Sequence, residues 1–223
     1  MSVVAVLLAV SGIVALAIGI AGQEPAPPQP DSTAAERDSR PSAPGQPQPD
    51  EPQRSRGQKV AEPETLDYSE PVRIDIATIG VSSSMVEIGL DSAGVMETPE
   101  PVDLAGWFAP SPPPGIPGAT VIAGHVTWDQ EPMVFFRLGD LRRGDRVEVE
   151  REDGVTVAYE VTRIGTFPKE SFPTKAVYDQ PDRSELRLIT CGGGYDDASG
   201  RYLANVIVWA TIVDTVPPEA DQG

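Results

Sequence analysis

The chain is 223 residues long and carries 34 acidic against 17 basic side chains, a formal charge of −17. That length holds one ordinary domain plus appendages, and a field of that sign repels phosphate backbones, which excludes nucleic acid as a natural partner. A single cysteine excludes an internal disulfide, and one histidine with one cysteine falls short of the three or four ligands a zinc site needs, so neither metal nor cofactor is expected.

Residues 2–23, SVVAVLLAVSGIVALAIGIAGQ, contain no charged side chain and match the roughly 20 apolar residues that span a bilayer. The run lacks a charged n-region and exceeds the usual apolar core of a signal peptide, which favours a retained membrane anchor over a cleaved export signal. Either alternative, assigned to residues 1–22, puts the rest of the chain outside the cell. Residues 23–66 hold ten prolines and no aromatic residue. Such a stretch cannot bury enough apolar surface to offset its ordering entropy, and it reads as a disordered, semi-extended stalk.

The segment 67–214 carries the folded domain, and its pattern is that of an all-β protein. In VRIDIATIG (72–80) Val72, Ile74 and Ile76 alternate with polar residues, as in a half-buried strand. MVEIGL (85–90) is a weaker strand. The prolines of APSPPPGIPG (109–118) exclude a central strand and make a loop. ATVIAGHV (119–126) is a continuous apolar run suited to a buried strand that ends at His125. EPMVFFRLGDL (131–141) places Val134, Phe135, Leu138 and Leu141 at near-helical spacing and predicts a short helix. DRVEVEREDGVTVAYEVTRI (145–164) is a hairpin turning at Asp153-Gly154. Residues 165–184, with three prolines, form a long loop of the kind that usually serves function. ELRLITC (185–191) and YLANVIVWATIV (202–213) are the last strands, and 215–223 reads as a disordered tail. Seven or eight strands with one or two short helices are most economically closed into a barrel, which removes exposed edges; no repeat is evident among them.

The one histidine and the one cysteine each stand at the end of an apolar strand beside glycine. A thiol becomes a nucleophile beside a base, and an imidazole exchanges protons near neutral pH, so Cys191 and His125 are the minimum set for acyl transfer through a thioester. Backbone N–H groups of Gly192 and Gly193 and a guanidinium are candidate oxyanion donors. On the last strand Arg201, Leu203 and Asn205 share one face. Bland readings stand beside these: a buried bystander thiol, a satisfied surface histidine, and Arg201 as a solvated charge in the turn-rich DDASGR. CGGGYDD (191–197) lacks the lysine and helix of a phosphate-binding loop.

VRIDIATIGV, GWFAPSPPPGIPGATVIAGHV, VFFRLGDLRRGDRVEV, LRLITCGGGYD and YLANVIVWA together resemble the sortases, specifically class F, over about residues 71–213. The resemblance implies an eight-stranded barrel and a membrane-tethered cysteine transpeptidase outside the cell. It would cleave an LPXTG-like sorting signal through a thioacyl-enzyme and pass the acyl part to an amine such as a cell-wall precursor. Cys191 is then the nucleophile, His125 the general acid/base, and the loop 165–184 a wall of the signal groove. Thr190, Gly192 and Asn205 fall to substrate or oxyanion binding. Many sortases place an arginine where this chain has Leu203 and Ala204, so Arg201 takes that role with Arg187 in reserve. Two alternatives remain: an L,D-transpeptidase, although its histidine and cysteine lie close together in sequence, and a non-catalytic tethered binding module.

Overall fold

The computed structural model describes residues 25–30 and 66–218; the apolar segment 2–23 and most of the expected stalk and tail lie outside them. Among the described residues no helix is long and apolar enough to cross a membrane.

Ten strands form among the described residues: β1 (Pro71–Ile76), β2 (Val81–Ile88), β3 (Ala105–Phe108), β4 (Gly118–Ala123), β5 (Thr127–Trp128), β6 (Glu131–Pro132), β7 (Arg146–Arg151), β8 (Thr156–Pro168), β9 (Ser184–Asp196) and β10 (Arg201–Val216). Eight close into a barrel in the order β1-β2-β3-β4-β9-β10-β8-β7, and β5 and β6 make a separate two-stranded ribbon. The expected all-β barrel is thus present. Alternation sorts its residues. Ile74, Ile76, Val147, Val149, Val157, Leu186, Leu188, Val206 and Val208 fill the interior, while Val121, Ala123, Ile189, Ile207 and Trp209 form a second apolar cluster on the outer face.

Local expectations differ from the structure at identifiable places. The first strand breaks after Ile76 into a 3-10 turn, Ala77–Ile79, closed by Gly80 at φ 71. AGWF, too short to register as a strand by pattern, becomes β3 because β2 and β4 pair with it on both sides. The helix expected over 131–141 is only a turn ending in the 3-10 segment Leu138–Asp140, since Gly139 interrupts it. The loop expected from residue 165 begins after Pro168, because β8 keeps pairing with β10 as far as Pro168↔Ala204. This loop carries the single described α-helix, α1 (Thr174–Val177), whose Val177 is buried in the outer-face cluster. Thr215 and Val216, expected in the tail, pair with Val157 and Thr156.

One buried cation ties the entry of the domain to the barrel. The side chain of Arg151 is fully buried. It donates to the carbonyls of Asp67 and Pro114, both at 2.7 Å, and pairs with Asp153 at 2.6 Å.

Candidate active site

Parallel pairing of β4 and β9 positions the site. Ala123 pairs with Ile189 at the end of their ladder. Past it the chains stay side by side: Gly124 N–H donates to Ile189 O (3.1 Å), and the Thr190 hydroxyl donates to Gly124 O (2.8 Å). The next residue on each chain is His125 and Cys191, and both are half-buried. By period-two alternation Cys191 follows Ile189 onto the outer face, where Val177 and Tyr178 pack over β4 and β9.

Two expected strand ends are corrected here. β4 stops at Ala123, two residues short of His125. β9 runs through Cys191 and all three glycines to Asp196, because β10 pairs with it on one side. The thiol therefore sits within a paired strand, which holds it more rigidly than a loop would.

The histidine is held from several sides. Its carbonyl accepts from Phe135 N–H (3.1 Å), and Val126 O accepts from Met133 N–H (2.9 Å). Nε2 lies 3.3 Å from Pro99 O, a carbonyl that can only accept, so Nε2 carries the proton and Nδ1 is left to exchange one. The Trp128 indole meets the imidazole edge to face, centroids 5.5 Å apart. Sequence reasoning missed both partners. A backbone carbonyl has no signature, and Trp128 reaches the ring only because Asp129 and Gln130, at φ 48 and 64, fold β5 back on β6.

The remaining expected residues separate. Asn205 pairs directly with Cys191 across β9 and β10, and side chains so paired stand about 5 Å apart at Cβ. Arg201, exposed, pairs with Asp196 four residues farther out, about 13 Å along the strand. The hydrogen bond from Ser199, together with Ala198 N–H and the Arg201 charge, holds the Asp196 carboxyl below the usual carboxylate range. Arg187 is withdrawn as the reserve. It is 4% exposed, and its donors go to Glu185 (2.7 Å), Leu186 O and Ala176 O. Thr190 faces inward with its hydroxyl committed to Gly124 O, so it braces the histidine segment. Gly192 also points inward, where a Cβ would lie 2.7 Å from Val206 Cγ2. Gly193 N–H, a candidate oxyanion donor, is taken by Gln29 Oε1 at 3.3 Å.

Beside Pro99 opens a cleft of about 530 Å³ lined by the carboxylates Glu87, Asp91, Glu97 and Glu100. Among the described residues no cluster of histidine, cysteine, aspartate or glutamate is arranged to hold a metal ion.

A sortase-domain family model matches residues 74–213. The chain belongs to the sortase family. Its fold is similar to sortase A from Corynebacterium diphtheriae, at 25% identity and TM-score 0.51 over 69% of this chain and 65% of that one. It is also similar to sortase A from Listeria monocytogenes, at 17% identity and TM-score 0.50 over 67% of this chain and 90% of that one. This sortase thus spans just under two thirds of the C. diphtheriae chain. No curated protein matches it.

Proposed function

We propose that the protein is a cysteine transpeptidase of class F type that cuts an LPXTG-like sorting signal and transfers its acyl part to an amine of the cell envelope. The observation that carries this reading is the placement of Cys191 and His125 at corresponding positions beyond the β4–β9 ladder. His125 takes the Cys191 thiol proton as the sulfur adds to the signal's threonine carbonyl, and returns it to the departing amine as the C–N bond breaks, leaving a thioester. The incoming amine then loses its proton to His125 as the C–S bond breaks. Asn205, directly across from Cys191, is the nearest side-chain donor for the oxyanion. Arg201, farther out, orients the peptide. Four carboxylates around the cleft beside Pro99 favour a cationic amine as acceptor. We assign residues 1–22 to the membrane and 67–214 to the extracellular catalytic domain.

Mass spectrometry of the enzyme mixed with an LPXTG-type peptide tests the reading. The wild type should accumulate the acyl adduct on Cys191. Cys191→Ala should form none, and His125→Ala should lose turnover by about 10²- to 10⁴-fold, the range for a general acid–base. Asn205→Ala should lower kcat, whereas Arg201→Ala should chiefly raise KM. Turnover retained by Cys191→Ala would refute the proposal.

A further inference from the structure

Residues 25–30, PAPPQP, pack against the end of the barrel far from their place in sequence. Pro27 is buried. The Tyr202 hydroxyl donates to Pro25 O at 3.0 Å. Gln29 Oε1 accepts from both Gly193 N–H (3.3 Å) and the Thr166 hydroxyl (3.2 Å), while its Nε2 turns back to Pro27 O (3.1 Å). These contacts bridge β8, β9 and β10. Gly139 completes the fit. A Cβ built there would fall 2.0 Å from Pro28 O, and its three nearest atoms all belong to Pro28 and Gln29.

We propose that the barrel end bounded by Gly139, Thr166, Gly193 and Tyr202 is a polyproline-binding seat whose occupant is the chain's own segment 25–30. The chemistry suits that ligand. A proline-rich strand comes pre-extended, so little order is lost on docking, and it offers carbonyls that a tyrosine hydroxyl can serve. The Tyr202 ring is itself braced edge to face by Tyr195, centroids 5.1 Å apart. The glutamine supplies specificity, because its amide accepts from both the Gly193 amide and Thr166 through Oε1 while donating to Pro27 O through Nε2, which an acceptor-only carboxylate could not do. Through Gly193, at φ 75 and two residues past Cys191, occupancy of the seat is felt at the strand that carries the thiol.

The sequence PQPD occurs at 28–31 and again at 47–50, so the linker holds a second candidate for the same seat. Gly139→Ala closes the seat to either copy, and the backbone there needs no positive φ. Hydrogen exchange of the full chain in detergent micelles reads occupancy without turnover, so the seat stands or falls separately from the chemistry proposed for Cys191. In the wild type the Gly193 amide should be protected, as its bond to Gln29 Oε1 requires. Gly139→Ala should speed exchange at Gly193 by at least about tenfold, and Gln29→Ala combined with Gln48→Ala, which removes the glutamine of both copies, should do the same, with the β4–β9 ladder unchanged in each. Should Gly139→Ala perturb the whole barrel, the double glutamine variant alone decides. Exchange at Gly193 unaltered by the double glutamine variant, or Gly193 exchanging at the unprotected rate in the wild type, would overturn the proposal.

Discussion

Thr190 places its hydroxyl 2.8 Å from the carbonyl of Gly124, in a position only 4% exposed. A valine of the same shape would leave that carbonyl without its side-chain donor, at about 1–3 kcal/mol. Thr190→Val should therefore lower the unfolding midpoint in denaturant and also slow transfer, because the segment holding His125 loses its tie to β9. Thr190→Ser should restore both. A residue that merely touched substrate would change KM and leave stability alone. The neighbouring placement of Cys191 and His125 was legible from sequence because each is unique and adjoins an apolar run. Their supports were not legible: Pro99 acts through its carbonyl, Phe135 through its N–H, and Gln29 from a stretch whose composition alone argues against any structure.

At the scale of elements, alternation and apolar runs located β1, β4, β7 and the core of β8, β9 and β10. Their ends were misjudged where pairing overrides local preference. Three successive glycines are poor strand formers, yet β10 supplies a partner and β9 extends through them. The β7–β8 hairpin carries its own acid sensitivity. The hydrogen bond from Arg151 holds the Asp153 carboxyl below the usual carboxylate range against the opposing effect of desolvation. Since the folded pKa is depressed, Asp153 contributes stability above its unfolded value of about 3.9, and that contribution is lost as pH falls through the folded value. Asp153→Asn should thus flatten the acid limb of the stability curve below about pH 4, as thermal unfolding at stepped pH would show. The effect should be modest, because the carboxylate is 40% exposed.

For the molecule as a whole, closing eight strands leaves no barrel edge for stray pairing, and the net negative charge becomes the dominant long-range property. The charge of −17 and the carboxylates beside Pro99 should draw a cationic amine toward the site. Raising ionic strength from about 0.05 to 0.5 M, which shortens the Debye length roughly threefold, should raise KM for such an acceptor several-fold. It should leave acylation by an uncharged signal peptide nearly unchanged. Stopped-flow measurement of the two half-reactions separates them.

The seated segment 25–30 comes directly after the apolar run 2–23, and this sets a length scale. For a chain held in a bilayer by that run, the docked form keeps the thiol's barrel on a leash only a couple of residues long. Undocked, residues 24–65 can extend to roughly 130 Å at the ~3.1 Å per residue of an extended proline-rich strand. For a chain so held, one glutamine side chain thereby chooses between two working radii, a short one and a long one.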